Sequence, residues 1–157
     1  MKLSKAFLVL VTLALVASVG IVAAEDVTVG SYTFAVPDGY TIASNTDTVI
    51  AMQQDEYNAI TFATEISDDI ETAKQVLINK DYTFIDEEEM EYNGYNTTLQ
   101  KFSYDSNGTT LYSFNYIELI DSGNFVITLI TDNPDFDGDL NSGKNPVASI
   151  FDTLAVD

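Results

Sequence analysis

The stretch from Tyr82 to Thr131 constrains this chain more than any other part. It lays down four runs rich in β-branched, aromatic and apolar residues, divided by Asn93-Gly94, Asn107-Gly108 and Ser122-Gly123. Asn-Gly between apolar runs is the strongest short-range hairpin signal, because a type I′ turn needs positive φ at both central residues. Asn93, Asn107 and Ser122 stand 14 and then 15 residues apart. That spacing predicts strands of about ten to twelve residues, long against the usual five or six. No proline interrupts the run, so no ladder bond has to be lost. A four-stranded antiparallel meander is the expected centre of the fold.

Side chains in a strand alternate between faces. In the third run Tyr112, Phe114 and Tyr116 point one way, while Leu111, Ile117 and Leu119 point the other. The fourth run alternates Phe125, Ile127 and Leu129 with Val126, Thr128 and Ile130. A sheet apolar on both faces needs cover on both. Two helices offer it. Ser67 is a fitting N-cap for one over residues 67–80, with Asp68, Asp69 and Glu71 in the first turn and Lys80 near the end. Its Ile70, Ala73, Val76 and Leu77 share a face. Asn145-Pro146 opens the second, over 146–154, with Val147, Ile150, Phe151 and Leu154 as its apolar stripe.

Shorter strands precede the meander. Asp26 to Val36 reads as an opening strand or a hairpin pivoting at Gly30-Ser31, stopped by Pro37-Asp38-Gly39. Residues 40–43, 48–52 and 59–66 follow as further strands. The expected fold class is α+β: an α/β/α sandwich around a central, mostly antiparallel sheet.

Residues 1–24 read as a signal peptide or an N-terminal membrane anchor. Lys2 and Lys5 precede Ala6–Ala24, which carries no charge, and Val22-Ala23-Ala24 supplies the small residues of a cleavage site. Residues 25–157 then form a single extracytoplasmic domain, secreted or held at the outer face of the cytoplasmic membrane. There is no cysteine, so neither a disulfide nor a lipid-anchored cysteine is available. Beyond residue 24 four lysines face 25 carboxylates, a net charge of −21 without any Arg or His. Such a field repels nucleic acid and anionic lipid and draws cations and basic partners. Membrane contact is therefore expected only through an uncleaved N-terminal segment. The expected partner is a protein or other envelope component whose identity the sequence does not disclose.

Tyr32-Thr33-Phe34-Ala35-Val36-Pro37-Asp38-Gly39-Tyr40 resembles the opening aromatic-x-Val-Pro-x-Gly-aromatic strand of PsbP-like domains. The succession of strands, helix, long meander and closing helix is similar to theirs across residues 26–156. The resemblance implies the α/β/α sandwich. It also implies a binding or assembly role, since that superfamily includes an extrinsic photosystem subunit, a Ran-binding import factor and small bacterial envelope proteins. Its opening motif is structural and carries over no site residue.

The residue inventory is poor in catalytic groups. Without His or Cys the chain lacks the commonest general base and the thiol nucleophile. It has no nucleophile elbow and no phosphate-binding glycine loop. With 25 carboxylates, acidic pairs arise by chance, and no Trp offers a sugar-stacking platform. The reading is therefore non-enzymatic, with no cofactor save calcium as a candidate. For calcium, Asn133, Asp135, Asp137, Asp139 and Asn141 place an oxygen ligand at every second position, with Gly138 at the turn. That matches most of an EF-hand loop, yet Lys144 stands where the bidentate Glu belongs.

Two further stretches carry weaker signals. The acidic run Asp86–Glu91 is a candidate cation or basic-partner surface, although such runs usually mark a guarded edge. Tyr112, Phe114 and Tyr116 are candidates for a ligand groove, but alternating aromatics usually build core. Asn96-Thr97-Thr98 and Asn107-Gly108-Thr109 match the N-glycosylation acceptor pattern, with use conditional on the host.

Overall fold

A computed structural model describes residues 25–64, 70–119 and 124–157. The leader at 1–24, the cap at Ser67 with Asp68 and Asp69, and the turn at Ser122-Gly123 lie outside the described residues. Ten strands and two helices are described: β1 (Asp26–Val29), β2 (Tyr32–Ala35), β3 (Thr41–Asn45), β4 (Val49–Gln53), β5 (Ala59–Thr64), α1 (Ile70–Ile78), β6 (Thr83–Tyr92), β7 (Tyr95–Ser106), β8 (Thr109–Glu118), β9 (Phe125–Thr131), α2 (Pro146–Thr153) and β10 (Ala155–Val156). No helix among the described residues is long and apolar enough to cross a membrane.

The meander is present as β6 to β9. Asn93 and Asn107 sit at φ +50° and +51°, each followed by a glycine above +80°, as the hairpin chemistry requires. Strands β6, β7 and β8 run for 10, 12 and 10 residues, and β9 for 7. The large sheet has seven strands in the order β3-β4-β5-β9-β8-β7-β6, and every pairing is antiparallel. Helix α1 stands between β5 and the far edge strand β6, so the meander returns towards β5 and ends with β9 beside it.

The α/β/α sandwich is corrected at this point: the fold is mostly β, built from two antiparallel sheets. Cover for one face of the large sheet comes chiefly from a second sheet, β1-β2-β10, and only partly from α2. Ala155 pairs with Thr33 and Val156 with Tyr32, so the chain returns to its opening hairpin after α2. Tyr32 and Phe34 on β2 drive into the layer between the sheets. Tyr32 meets Phe125 at 5.1 Å, Phe34 meets Phe62 at 4.9 Å, and Phe62 stacks on Phe125 at 5.1 Å. Phe151 of α2 closes the cluster against Tyr95 at 5.5 Å. Each fully buried Phe contributes about 1.5–3 kcal/mol.

The opposite face carries α1, with Ala73 and Leu77 packed on Tyr82 and Phe102. A row of directly opposed residues crosses this face: Thr61, Thr128, Asn115, Gln100 and Glu87 on β5, β9, β8, β7 and β6. Thr128 Oγ1 donates to Asn115 Oδ1 at 2.8 Å, and Gln100 Nε2 donates to Glu87 Oε1 at 2.9 Å. Lys74 of α1 caps the row, 3.1 Å from Glu87 Oε1 and 3.1 Å from Glu71 Oε2. Thr61 Oγ1, Asn115 Nδ2 and Gln100 Oε1 are buried without a hydrogen-bond partner.

An unpaired buried hydroxyl is a net cost, and replacing it with a methyl removes that cost. Thr61→Val should therefore stabilise the protein by about 1 kcal/mol. Denaturant melts of the two proteins measure it. A loss of stability would show that the hydroxyl has a partner, such as an ordered water.

Candidate functional site

The loop from Asp132 to Asn145 is held at both ends and at its middle. Thr131 Oγ1 accepts from the Asn133 N–H at 3.2 Å and donates to Asn58 Oδ1 at 2.7 Å, tying the loop's start to the β4–β5 turn. At its end, Asn145 caps α2 by accepting from the Val147 N–H at 3.0 Å. Asn145 Nδ2 donates to the Tyr116 hydroxyl at 2.9 Å and to the Gly138 carbonyl at 3.1 Å. The Tyr116 hydroxyl in turn donates to that carbonyl at 2.7 Å. Leu140 is buried in the main core, and Phe136 packs edge-on against Phe114 with centroids 4.8 Å apart.

This anchoring leaves the five expected metal ligands on the outer rim. Asn133 Oδ1 accepts from the N–H of Asp135 at 3.0 Å, Asp137 Oδ1 from Asp139 at 2.9 Å, and Asp139 Oδ1 from Asn141 at 2.9 Å. Each bond closes a tight turn over two residues, the ordinary local role of Asn and Asp. Among the described residues, His, Cys, Asp and Glu form no group of three or more that could hold a metal. Among the described residues, the side chains of Asp135 and Asn141 close no such turn.

Beside the loop lies an open cleft of about 660 Å³. Pro37 and Asp38 line it from the corner after β2, Asp132, Asn133 and Phe136 from the loop, and Pro146 and Ser149 from α2. Tyr40, Phe136, Leu129 and Pro146 contribute apolar surface. Tyr40 is buried against the core, and its hydroxyl is pushed up to about 12, first by burial and then by the nearby Asp55 carboxylate. The hydroxyl therefore holds its proton at neutral pH.

Most polar groups of the lining, among them Asn58, Thr131, Asn133 and Asn145, are spent on bonds within the fold, whereas its charged side chains are not paired with one another. Asp38 and Asp132 are exposed carboxylates, and among the described residues Asp132 has only a 3.5 Å contact from Asn58 Nδ2. Lys144 enters no ion pair among the described residues, whereas Lys74 and Lys101 are both paired. Sequence reasoning missed this set. Asp38 reads as a turn former and Lys144 as a defect in a calcium loop, and 106 positions separate them. Only the fold brings them to one cleft.

The remaining candidates are structural or peripheral. Phe114 and Tyr116 are core, with Tyr116 fully buried. The Asp86–Glu91 run forms the outer edge of the large sheet, where Glu87 and Glu88 pair with Lys74 and Lys101. Asn107 is exposed at the tip of the β7–β8 hairpin, and Asn96 is exposed near the start of β7. A different carboxylate is strongly perturbed: Glu118, at the end of β8, is 3% exposed and its Oε2 has no partner. Burial pushes its carboxyl up to about 7, against a lowering bond from the Asn96 backbone.

No protein-family model matches the chain, and no curated protein matches it. A solved structure from Bacteroides thetaiotaomicron is similar, with a TM-score of 0.56 at 12% identity over 81% of this chain. This chain spans 45% of the length of that one. A Pseudomonas aeruginosa protein of unknown function aligns over 69% of this chain and 82% of its own, at 11% identity and a TM-score of 0.39. The Bacteroides likeness is one of fold.

Proposed function

We propose that this protein is a non-enzymatic, extracytoplasmic binding or assembly domain whose ligand site is the cleft beside the Asn133 loop. One observation carries the reading: an open cleft of about 660 Å³ joins aromatic walls to charged groups that are not spent on one another. Ligand sites are typically concavities of about 300–1,000 Å³ with apolar walls and a few convergent polar groups. The leader-like residues 1–24 support the location. The absence of His and Cys from the sequence supports binding over catalysis. The PsbP-like resemblance of Tyr32–Tyr40 favours the same role.

Ser149 lines the cleft on the first turns of α2, so Ser149→Trp fills it from one wall. A bound ligand raises the melting midpoint by mass action. A panel of short peptides and small polar metabolites should contain members that raise the midpoint of the native protein but not of Ser149→Trp. Shifts that survive the substitution would place the site elsewhere.

A calcium-dependent module on Asn133, Asp135, Asp137, Asp139 and Asn141 is the second reading, favoured by the uncommitted carboxylate of Asp135. Millimolar CaCl₂ should raise the melting midpoint if it holds, and Asp135→Asn should abolish the rise. No shift with calcium would sink it.

A further inference from the structure

We propose that the cleft takes a short zwitterionic peptide, its carboxylate end at Lys144 and its cationic end between Asp38 and Asp132. This rests on the reading of the cleft as the binding site and adds the class of ligand. Groups of both signs line it: Lys144 is the cation, and Asp38 and Asp132 are the carboxylates. Lys144 immediately precedes the Asn145 cap of α2, whose first turn carries no acidic residue. The ammonium and the positive end of the helix dipole therefore reinforce each other on that side. Asp38 at the corner after β2 and Asp132 at the end of β9 supply the negative groups.

A ligand of one sign meets a group of its own sign somewhere in this lining. A simple anion faces two carboxylates and a domain of net charge −21. A simple cation is drawn by that field yet leaves Lys144 unanswered. A molecule with both signs answers all three groups. Tyr40 and Phe136 give apolar surface for a side chain between the charged ends, and the volume of about 660 Å³ suits two or three residues.

The test is titration calorimetry of the protein with the tripeptide Lys-Ala-Phe bearing free termini. Controls are its C-terminal amide and a fully neutral analogue, N-acetyl-Gln-Ala-Phe-amide. Exposed charge pairs are worth up to about 1 kcal/mol, so amidation should weaken binding about five-fold. Lys144→Gln should erase the difference between acid and amide. Asp38→Asn with Asp132→Asn should weaken the free tripeptide about five-fold or more and leave the neutral analogue unchanged. All three residues are exposed, so these variants leave the core intact.

The outcomes separate the two claims. A neutral analogue that binds as tightly as the tripeptide, with binding lost in Ser149→Trp, overturns the zwitterion and keeps the cleft. Binding of neither peptide overturns the peptide class and leaves the cleft to the wider panel. Tripeptide binding indifferent to Ser149→Trp overturns both.

Discussion

Gly138→Ala should destabilise the protein by about 3–4 kcal/mol, the sum of a backbone term and a packing term that act at one atom. Gly138 sits at φ +84°, in the left-handed region where a Cβ is disfavoured. An alanine Cβ there would lie 2.9 Å from Phe114 Cδ1, 3.0 Å from Leu99 Cδ2 and 3.2 Å from the Tyr116 hydroxyl. Those side chains stand on the interior strands β7 and β8, where they are buried and have little room to retreat. The Gly138 carbonyl also receives the Tyr116 and Asn145 bonds, so moving the backbone breaks the anchor of the loop and of the α2 cap together. Denaturant melts measure the loss. Gly143→Ala is the control: its φ is +74° and no atom lies within 4 Å of the added Cβ. It should lose only the backbone share, about 1–2 kcal/mol. Equal losses at the two sites would refute the packing argument. If it holds, Gly138→Ala should also weaken ligand binding in the cleft, because the loop is one of its walls.

That glycine shows how much of the fold can be read without coordinates. As a turn former in an acidic loop Gly138 was legible, and so were Asn93-Gly94 and Asn107-Gly108, because φ preference is a property of the residue itself. The pressure of Phe114 and Leu99 on Gly138 was not legible, since it depends on strands far away in the chain. The same division explains the error of fold class. Phe125, Ile127 and Leu129 alternating with Val126 and Ile130 do announce a sheet covered twice. They do not disclose whether helix or sheet supplies the cover. Ala155-Val156 is too short to register as a strand, yet its pairing with Thr33 and Tyr32 extends the second sheet. The row from Thr61 to Glu87 was hidden for a similar reason, because its members align only once five strands are in register. Asp38, Asp132 and Lys144 meet only through the corner after β2, the end of β9 and the cap of α2.

Glu118→Gln should leave stability little changed at pH 4 and raise it by about 2–3 kcal/mol at pH 8. Glu118 is 3% exposed at the end of β8, opposite Phe125 on β9. Its titratable neighbours, Tyr32 on β2 and Tyr95 on β7, are themselves raised, mainly by burial and further by the Glu118 charge. Neither supplies a cation. Burial therefore dominates and lifts the carboxyl from 4.5 to about 7. With the folded value above the unfolded one, the folded state holds the proton more tightly. The stabilisation is full below pH 4.5 and is lost as pH rises through about 7. Above that, the native fold carries a buried carboxylate whose Oε2 has no partner. Glutamine keeps the shape, can still accept the Asn96 N–H, and never ionises. Repulsion among the many other carboxylates also weakens the native state as pH rises, but it acts on both proteins. The difference between their stability curves isolates Glu118. Parallel curves from pH 4 to 8 would show that its carboxyl titrates as an exposed one. Curves that diverge between pH 4.5 and 7 would establish that the domain hardens on mild acidification through this one buried side chain.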